Sequence, residues 1–205
     1  MAYIDKTAFE VKNSNIRFND IQNVPGYFGS VSEDAFTAAD CSAGLVCSSY
    51  ALAPSEGYES LGILNGNTHQ FIAAASGSVE GYTGDHTGLY VCNTHDIQQL
   101  TGPDGNVYNV GANTLGLGLP AGNRCAFTEL IVGERYKWGE GNFAALPAEG
   151  ESYAVLSNGL WSGASQAPTD GSVYAVVERT EAFIKGLRNA FNGYILRICR
   201  SAVSA

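Results

Sequence analysis

Glycine punctuates this chain too often for a long helix to form. From Pro25-Gly26 onward a glycine recurs every few residues, and 25 of the 205 residues are glycine. Each one inside a helix costs roughly 1 kcal/mol relative to alanine. The apolar runs between the breaks are therefore short, at 44–47, 61–64, 71–75, 89–92 and 107–110. Further on, 124–132, 135–138, 152–156, 173–179 and 194–198 are rich in Val, Ile and Tyr, residues that suit a pleated, half-buried surface. Gly133-Glu134 and Gly105-Asn106 read as hairpin turns, and Pro25-Gly26 as a turn. Residues 180–191 carry two signals. Phe183, Leu187, Ala190 and Phe191 fall at helical spacing, but Gly186 interrupts the run and Val173 onward is β-branched. We read strand, turn, strand. About nine to eleven short strands separated by turns predict an all-β fold, a β-sandwich or jelly-roll-like barrel with short strands and Gly-rich loops. Residues 1–24 lack glycine and form an N-terminal arm or first strand pair turning at 13–15. Residues 25–205 form a single β domain.

Composition narrows the class further. Apolar residues make up 45% and charged residues only 15%, the reverse of what a disordered chain carries. The formal net charge is −9, and it is unevenly placed. Between Arg17 and Arg124 there is no Lys or Arg, while ten Asp and Glu fall there. Residues 124–205 carry eight charges of each sign. A stretch without bases offers no clamp for phosphate, so a nucleic-acid partner is not expected. No run of 18 apolar residues appears, and the first residues lack an apolar export segment, so neither membrane insertion nor export is expected. Five cysteines, Cys41, Cys47, Cys92, Cys125 and Cys199, make an odd and loosely spaced set. That pattern predicts reduced thiols in a cytoplasm, with a small Cys41–Cys47 disulfide loop as the alternative.

The chemistry-bearing residues do not assemble into a motif. No Gly-x-Ser-x-Gly elbow occurs, and Ser162 in 159–163 stands one place late. His69, His86 and His95 are the three histidines; Asp85-His86 and His95-Asp96 are neighbours in sequence, which on a strand point to opposite faces. No catalytic residue is assigned, and the chain is not read as an enzyme. Cys92-x2-His95 is half of a zinc site that His86, Cys125 or Cys41 could complete, but no second close pair accompanies it. The cysteines are read as core residues, with no metal ligand and no cofactor. Glu149/Glu151 and Glu178/Glu181 are read as solvated carboxylates. Tyr136, Trp138 and Trp161 are candidate glycan or interface contacts, set against a core reading in which Tyr136 and Trp138 share one strand face.

The stretch GANTLGLGLPAGNRCAFTELIVGERYKWGEGNF (111–143), with 173–199, resembles small structural proteins of tailed bacteriophages infecting Gram-positive gut bacteria. The resemblance implies a virion protein made in the host cytoplasm, a capsid decoration or cement protein. Its partners would be the major capsid protein or other virion proteins, and it would form a homo-oligomer. It carries over no catalytic residue. The alternative is a glycan-binding, lectin-like module of a phage tail or cell surface. With the decoration reading, the acidic 18–123 would face solvent, and 1–17 and 124–205 would hold the partner contacts.

Overall fold

The structure is a computed structural model that describes residues 6–12, 23–52, 69–79, 81–82, 84–93, 99–101, 107–109, 121–185 and 189–202. Among these residues fifteen strands make up nearly all of the regular structure. They are β1 (Phe9–Val11), β2 (Asn23–Ser32), β3 (Ala35–Ala38), β4 (Val46–Leu52), β5 (His69–Ala73), β6 (His86–Cys92), β7 (Gln99–Thr101) and β8 (Val107–Asn109). After these come β9 (Arg124–Ile131), β10 (Arg135–Gly139), β11 (Phe143–Ala145), β12 (Tyr153–Ser157), β13 (Leu160–Ala164), β14 (Val173–Lys185) and β15 (Asn189–Arg200). One 3-10 turn, Glu140–Asn142, lies between β10 and β11.

The protein is all-β, built as a barrel against a sheet. Strands β2, β5, β4, β6 and β9 pair in that order, and β9 returns to β2 to close the ring. Only β2–β5 is parallel within it. β3 extends from β2 outside the ring, through a two-residue turn in which Glu33 and Asp34 both take positive φ, 49° and 61°. The second layer is a seven-stranded sheet in the order β1-β10-β15-β14-β12-β13-β11. β7 and β8 form a separate antiparallel pair.

The side-chain period of two puts a different core on each face of the barrel wall. On β6, Leu89 and Val91 point toward the sheet, whereas Tyr90 and Cys92 point into the barrel. The larger core lies between wall and sheet. It joins Val46, Leu89, Val91 and Leu130 of the barrel to Trp138, Trp161, Leu196 and Ile198 of the sheet. Burying each such side chain contributes roughly 1.5–3 kcal/mol. The smaller core fills the barrel with Phe71, Phe127 and four cysteines.

Polar bonds fix how the two layers meet. Val46 N–H donates to Gly159 O at 3.0 Å, and Ser76 bridges Ser157. Asn142, almost fully buried, accepts from Ala8 N–H at 3.0 Å and donates to Ala43 O at 2.8 Å, so it pins the N-terminal segment and the β3–β4 loop together. Gly44 sits beside it with φ +83°, and a Cβ there would come within 2.7 Å of the Asn142 amide. Both backbone sign and space require glycine at that place.

β14 and β15 form a ribbon longer than the sheet around it. β12 covers β14 through Val176, and β10 covers β15 only from Gly193 onward. Among the described residues, 182–185 and 189–192 pair only with each other. The strand-turn-strand reading of 180–191 describes this hairpin, whose connecting residues 186–188 lie outside the described residues. A bulge between Val177 and Arg179 marks where the ribbon leaves the sheet. There Arg135 and Arg197 face each other across β10 and β15. Glu178 accepts from both guanidinium groups, at 2.7 and 3.0 Å, and neutralises a like-charge pair that would otherwise weaken the sheet.

The hydrogen bond from Arg135, reinforced by the charges of Arg135 and Arg197, holds the Glu178 carboxyl below its ordinary range. A depressed carboxylate contributes stability above its unfolded pKa and loses it as pH falls through the folded value. Glu178→Gln is therefore expected to cost about 1 kcal/mol at neutral pH, near the upper end for partly exposed networks. The deficit relative to the parent should shrink as the pH falls below ~4. Urea unfolding of both proteins across pH checks this. A deficit that stays constant into acid would contradict it.

Three details differ from the sequence reading. Pro25 and Gly26 lie inside β2, not in a turn. The β2–β5 ladder starts only at Gly26, and a Cβ on Gly26 would strike the Phe71 ring. The apolar run 44–47 begins its strand at Val46, because Ala43-Gly44 is a turn. Among the described residues fifteen strands replace about nine to eleven, chiefly because β1, β3, β11 and β13 are three to five residues long. The run 61–64, the turn at 13–15 and the Gly105-Asn106 turn lie outside the described residues.

Candidate functional site

The three aromatic candidates belong to the core. Tyr136, Trp138 and Trp161 are each 0% exposed. Trp138 packs edge-on against Trp161 at 5.3 Å between ring centres, and Phe9 of β1 covers both Tyr136 and Trp138. Their polar atoms face inward too: Trp138 Nε1–H donates to Gly44 O at 3.0 Å, and Tyr136 Oη accepts from Ile131 N–H at 3.1 Å. A stacked sugar needs an open ring face, and these rings offer none. The reading of the three as glycan or interface contacts is corrected accordingly, and the lectin-like alternative loses its contact residues.

The titratable candidates are drawn into strand-to-strand pairs. His86 Nδ1 lies 3.0 Å from Glu129 Oε2 across β6 and β9. His69 Nδ1 lies 3.5 Å from Ser49 Oγ, and partial burial lowers its pKa. His95 is outside the described residues. Glu181 pairs with Arg179 at 2.8 Å, Lys12 at 3.6 Å and Lys137 at 3.8 Å. Glu151 accepts from Ala148 N–H at 2.7 Å. Ser162 lies in β13, paired with Val155, so 159–163 is hairpin and strand and not a nucleophile elbow.

One constellation was not legible as such from spacing. The sulfur atoms of Cys41, Cys92 and Cys125 all lie within 4.8 Å of one another, and all three residues are buried. Cys92 ends β6 and Cys125 opens β9, the neighbouring strand. Cys47, near the start of β4, pairs with Tyr90, two residues before Cys92, so it presents its thiol to the same interior at the same end of the barrel. Cys41 comes from the β3–β4 loop, which crosses that end. The loop is tied down by Gly44 N–H to Cys92 O at 2.8 Å and Cys92 N–H to Leu45 O at 3.0 Å. None of the five cysteines forms a disulfide.

The surroundings of these thiols are dry and aromatic. Phe71 stacks on Phe127 at 4.0 Å and tilts against Tyr90 at 5.1 Å. Hydrogen bonds with Cys125 and Cys92, followed by burial, push the Cys41 thiol far above its ordinary pKa. Burial, followed by Cys92 and Cys125, does the same to Cys47. Such thiols stay protonated and poorly nucleophilic in water. Chemically the cluster can pack as an apolar core or exchange its protons for a thiophilic cation. Of the zinc ligands weighed from sequence, Cys41, Cys92 and Cys125 are brought together, while His86 sits at the opposite end of β6. The signal a sequence could offer is weak: inward positions on three strands, separated by 45 and 33 residues between Cys47, Cys92 and Cys125.

Among the described residues, no helix is long and apolar enough to cross a membrane. Comparison of the chain with protein-family models, with curated proteins and with solved structures finds no match.

Proposed function

We propose that the protein works by assembly and not by catalysis, as a structural protein of a tailed-phage virion that decorates the capsid through contacts with the shell and with its own copies. The observation that carries this reading is the β14–β15 ribbon. Its outer half, 182–185 with 189–192, has no further strand beside it among the described residues. Two-stranded ribbons are marginal alone in water, and their open edges are templates for a strand from another chain.

The charge split favours the same arrangement. The barrel and β3 are built from 23–131, which coincides with the base-free stretch apart from Arg124. The sheet is built from 9–11 and 135–200, and residues 135–200 hold seven of the eleven Lys and Arg. An acidic barrel directed to solvent would resist adhesion to DNA and other acidic surfaces. A mixed-charge sheet loses less on desolvation and suits the partner side. The virion setting comes from the resemblance of 111–143 and 173–199 to phage structural proteins.

The test is sedimentation of the full chain, alone and with phage capsids, beside a variant in which 184–190 is replaced by Asn-Gly. That change closes the Phe183–Phe191 pair with a two-residue hairpin loop and leaves the sheet-bound half intact. The parent should self-associate or cosediment with shells, and the short-ribbon variant should do so at least tenfold more weakly. A parent that stays monomeric and ignores capsids overturns the proposal.

A further inference from the structure

We propose that Cys41, Cys92 and Cys125, with Cys47 as the fourth ligand, form a buried site for one thiophilic metal ion of the zinc class. Geometry comes first. In a tetrahedral zinc–thiolate site with Zn–S of ~2.3 Å the sulfurs stand roughly 3.8 Å apart. The three sulfurs already lie within 4.8 Å of one another. Closing that gap asks for small side-chain rotations and no change in strand register. Cys47 lies in the same buried cluster but outside the group of three, so its side chain has to turn toward them to become the fourth ligand.

The four ligands are held on unlike supports. Three stand on adjacent strands of a closed barrel, β4, β6 and β9. The fourth stands on the loop that the backbone bonds of Gly44, Leu45 and Cys92 clasp to the barrel mouth. This combination fixes ligand positions before any ion arrives. The donor set is all sulfur, which selects soft or borderline cations such as zinc over magnesium or calcium. Phe71 and Phe127, both fully buried, belong to the same cluster, and four sulfur ligands would fill a tetrahedral ion, so the site is structural, not catalytic. Cysteine alone is an ordinary core residue. Here, however, four of five cysteines occupy one buried cluster of six residues, while Cys199 lies apart on β15 and only half-buried. An ion bridging β4, β6, β9 and the β3–β4 loop would lock the barrel mouth against which Trp138 and Asn142 dock.

The probe is Co2+, added to the full chain kept under reducing conditions. Uptake should saturate at one ion per chain, with sulfur-to-cobalt charge-transfer absorption and the d–d bands of a tetrahedral thiolate site. It should release protons, because bound thiols give them up. Zn2+ should displace the cobalt and raise the thermal midpoint, and a chelator should reverse that rise. Cys199→Ser should bind like the parent. Cys92→Ser and Cys125→Ser should each weaken binding by at least about tenfold, the smallest loss expected when even an outer partner of a metal ligand is removed. Should those variants not fold, the parent titration and the Zn2+-dependent midpoint decide. A reduced parent with no saturable cobalt spectrum and no midpoint shift overturns the proposal. So does loss of binding in Cys199→Ser, or a native disulfide among the four.

Discussion

Trp138→Ala is expected to destabilise the protein by about 4 kcal/mol, within the range for emptying a large aromatic from a core. That is a large part of the ~5–15 kcal/mol that holds an ordinary domain together. The size follows from what meets at this ring. Trp138 is 0% exposed, touches Phe9, Tyr136 and Trp161, and donates to Gly44 O at 3.0 Å. Removing it opens a cavity at the centre of the barrel–sheet interface and strips a buried carbonyl of its donor. A paired comparison separates these effects. Trp161 is equally buried, but its Nε1–H meets no acceptor among the described residues. Trp138→Phe should therefore cost ~1–2 kcal/mol more than Trp161→Phe, the worth of one buried bond. Urea unfolding followed by far-ultraviolet circular dichroism gives both numbers. A Trp138→Ala cost under ~1 kcal/mol would mean that this interface is not the principal core.

The fold class was legible because glycine spacing and β-branched runs act locally. The hairpin at β14–β15 shows how. Helical spacing of Phe183, Leu187 and Phe191 competed with Gly186 and the β-branched run, and the latter decided. Turn chemistry was legible only where glycine carried it. Gly133 ends β9 as expected, but the β2–β3 hairpin turns on Glu33-Asp34, two residues forced to positive φ without the usual Asn-Gly signature. Closure of the barrel was not legible at all. It depends on β9 returning to β2 across about a hundred residues, and no local pattern records a long-range pairing. The cysteine cluster is a consequence of that closure. Cys125 reaches Cys92 because β9 lies beside β6, and Cys41 reaches both because Gly44 bends its loop over the barrel mouth. The aromatic candidates failed for a related reason. The shared strand face of Tyr136 and Trp138 left contact and core readings both open, and β1 and the barrel wall, from segments far away in sequence, decide for the core.

Gly193→Val should cost about 3 kcal/mol or more, because it combines overpacking with the loss of a charge-assisted hydrogen bond. At this position β15 is crossed by the side chain of Lys137, which reaches from β10 toward β14 and is only 4% exposed. Its ammonium donates to Ala182 O at 2.8 Å, stands 4.1 Å from the Phe183 ring centre, and faces Glu10 and Glu181 at 3.8 Å each. The absent side chain at 193 is the gap through which the lysine passes. A Cβ there would lie 2.6 Å from Phe183 Cδ2, 2.7 Å from Lys137 Cε and 2.9 Å from the Glu181 carbonyl oxygen. The two side-chain atoms can move, but the carbonyl belongs to the paired strand and cannot move without opening the ribbon. The lysine must then leave its carbonyl and its ring, and a buried cation without partners is costly. Lys137→Met removes the charge and keeps the stem, so it isolates the electrostatic part and should be milder than Gly193→Val. Because the lysine clamps the ribbon at its exit from the sheet, Gly193→Val should also speed hydrogen exchange in 180–185 and 189–192 while leaving the barrel strands protected. Exchange mass spectrometry reads the two regions separately. Equal loss of protection in barrel and ribbon would show that the ribbon is anchored by something other than this clamp.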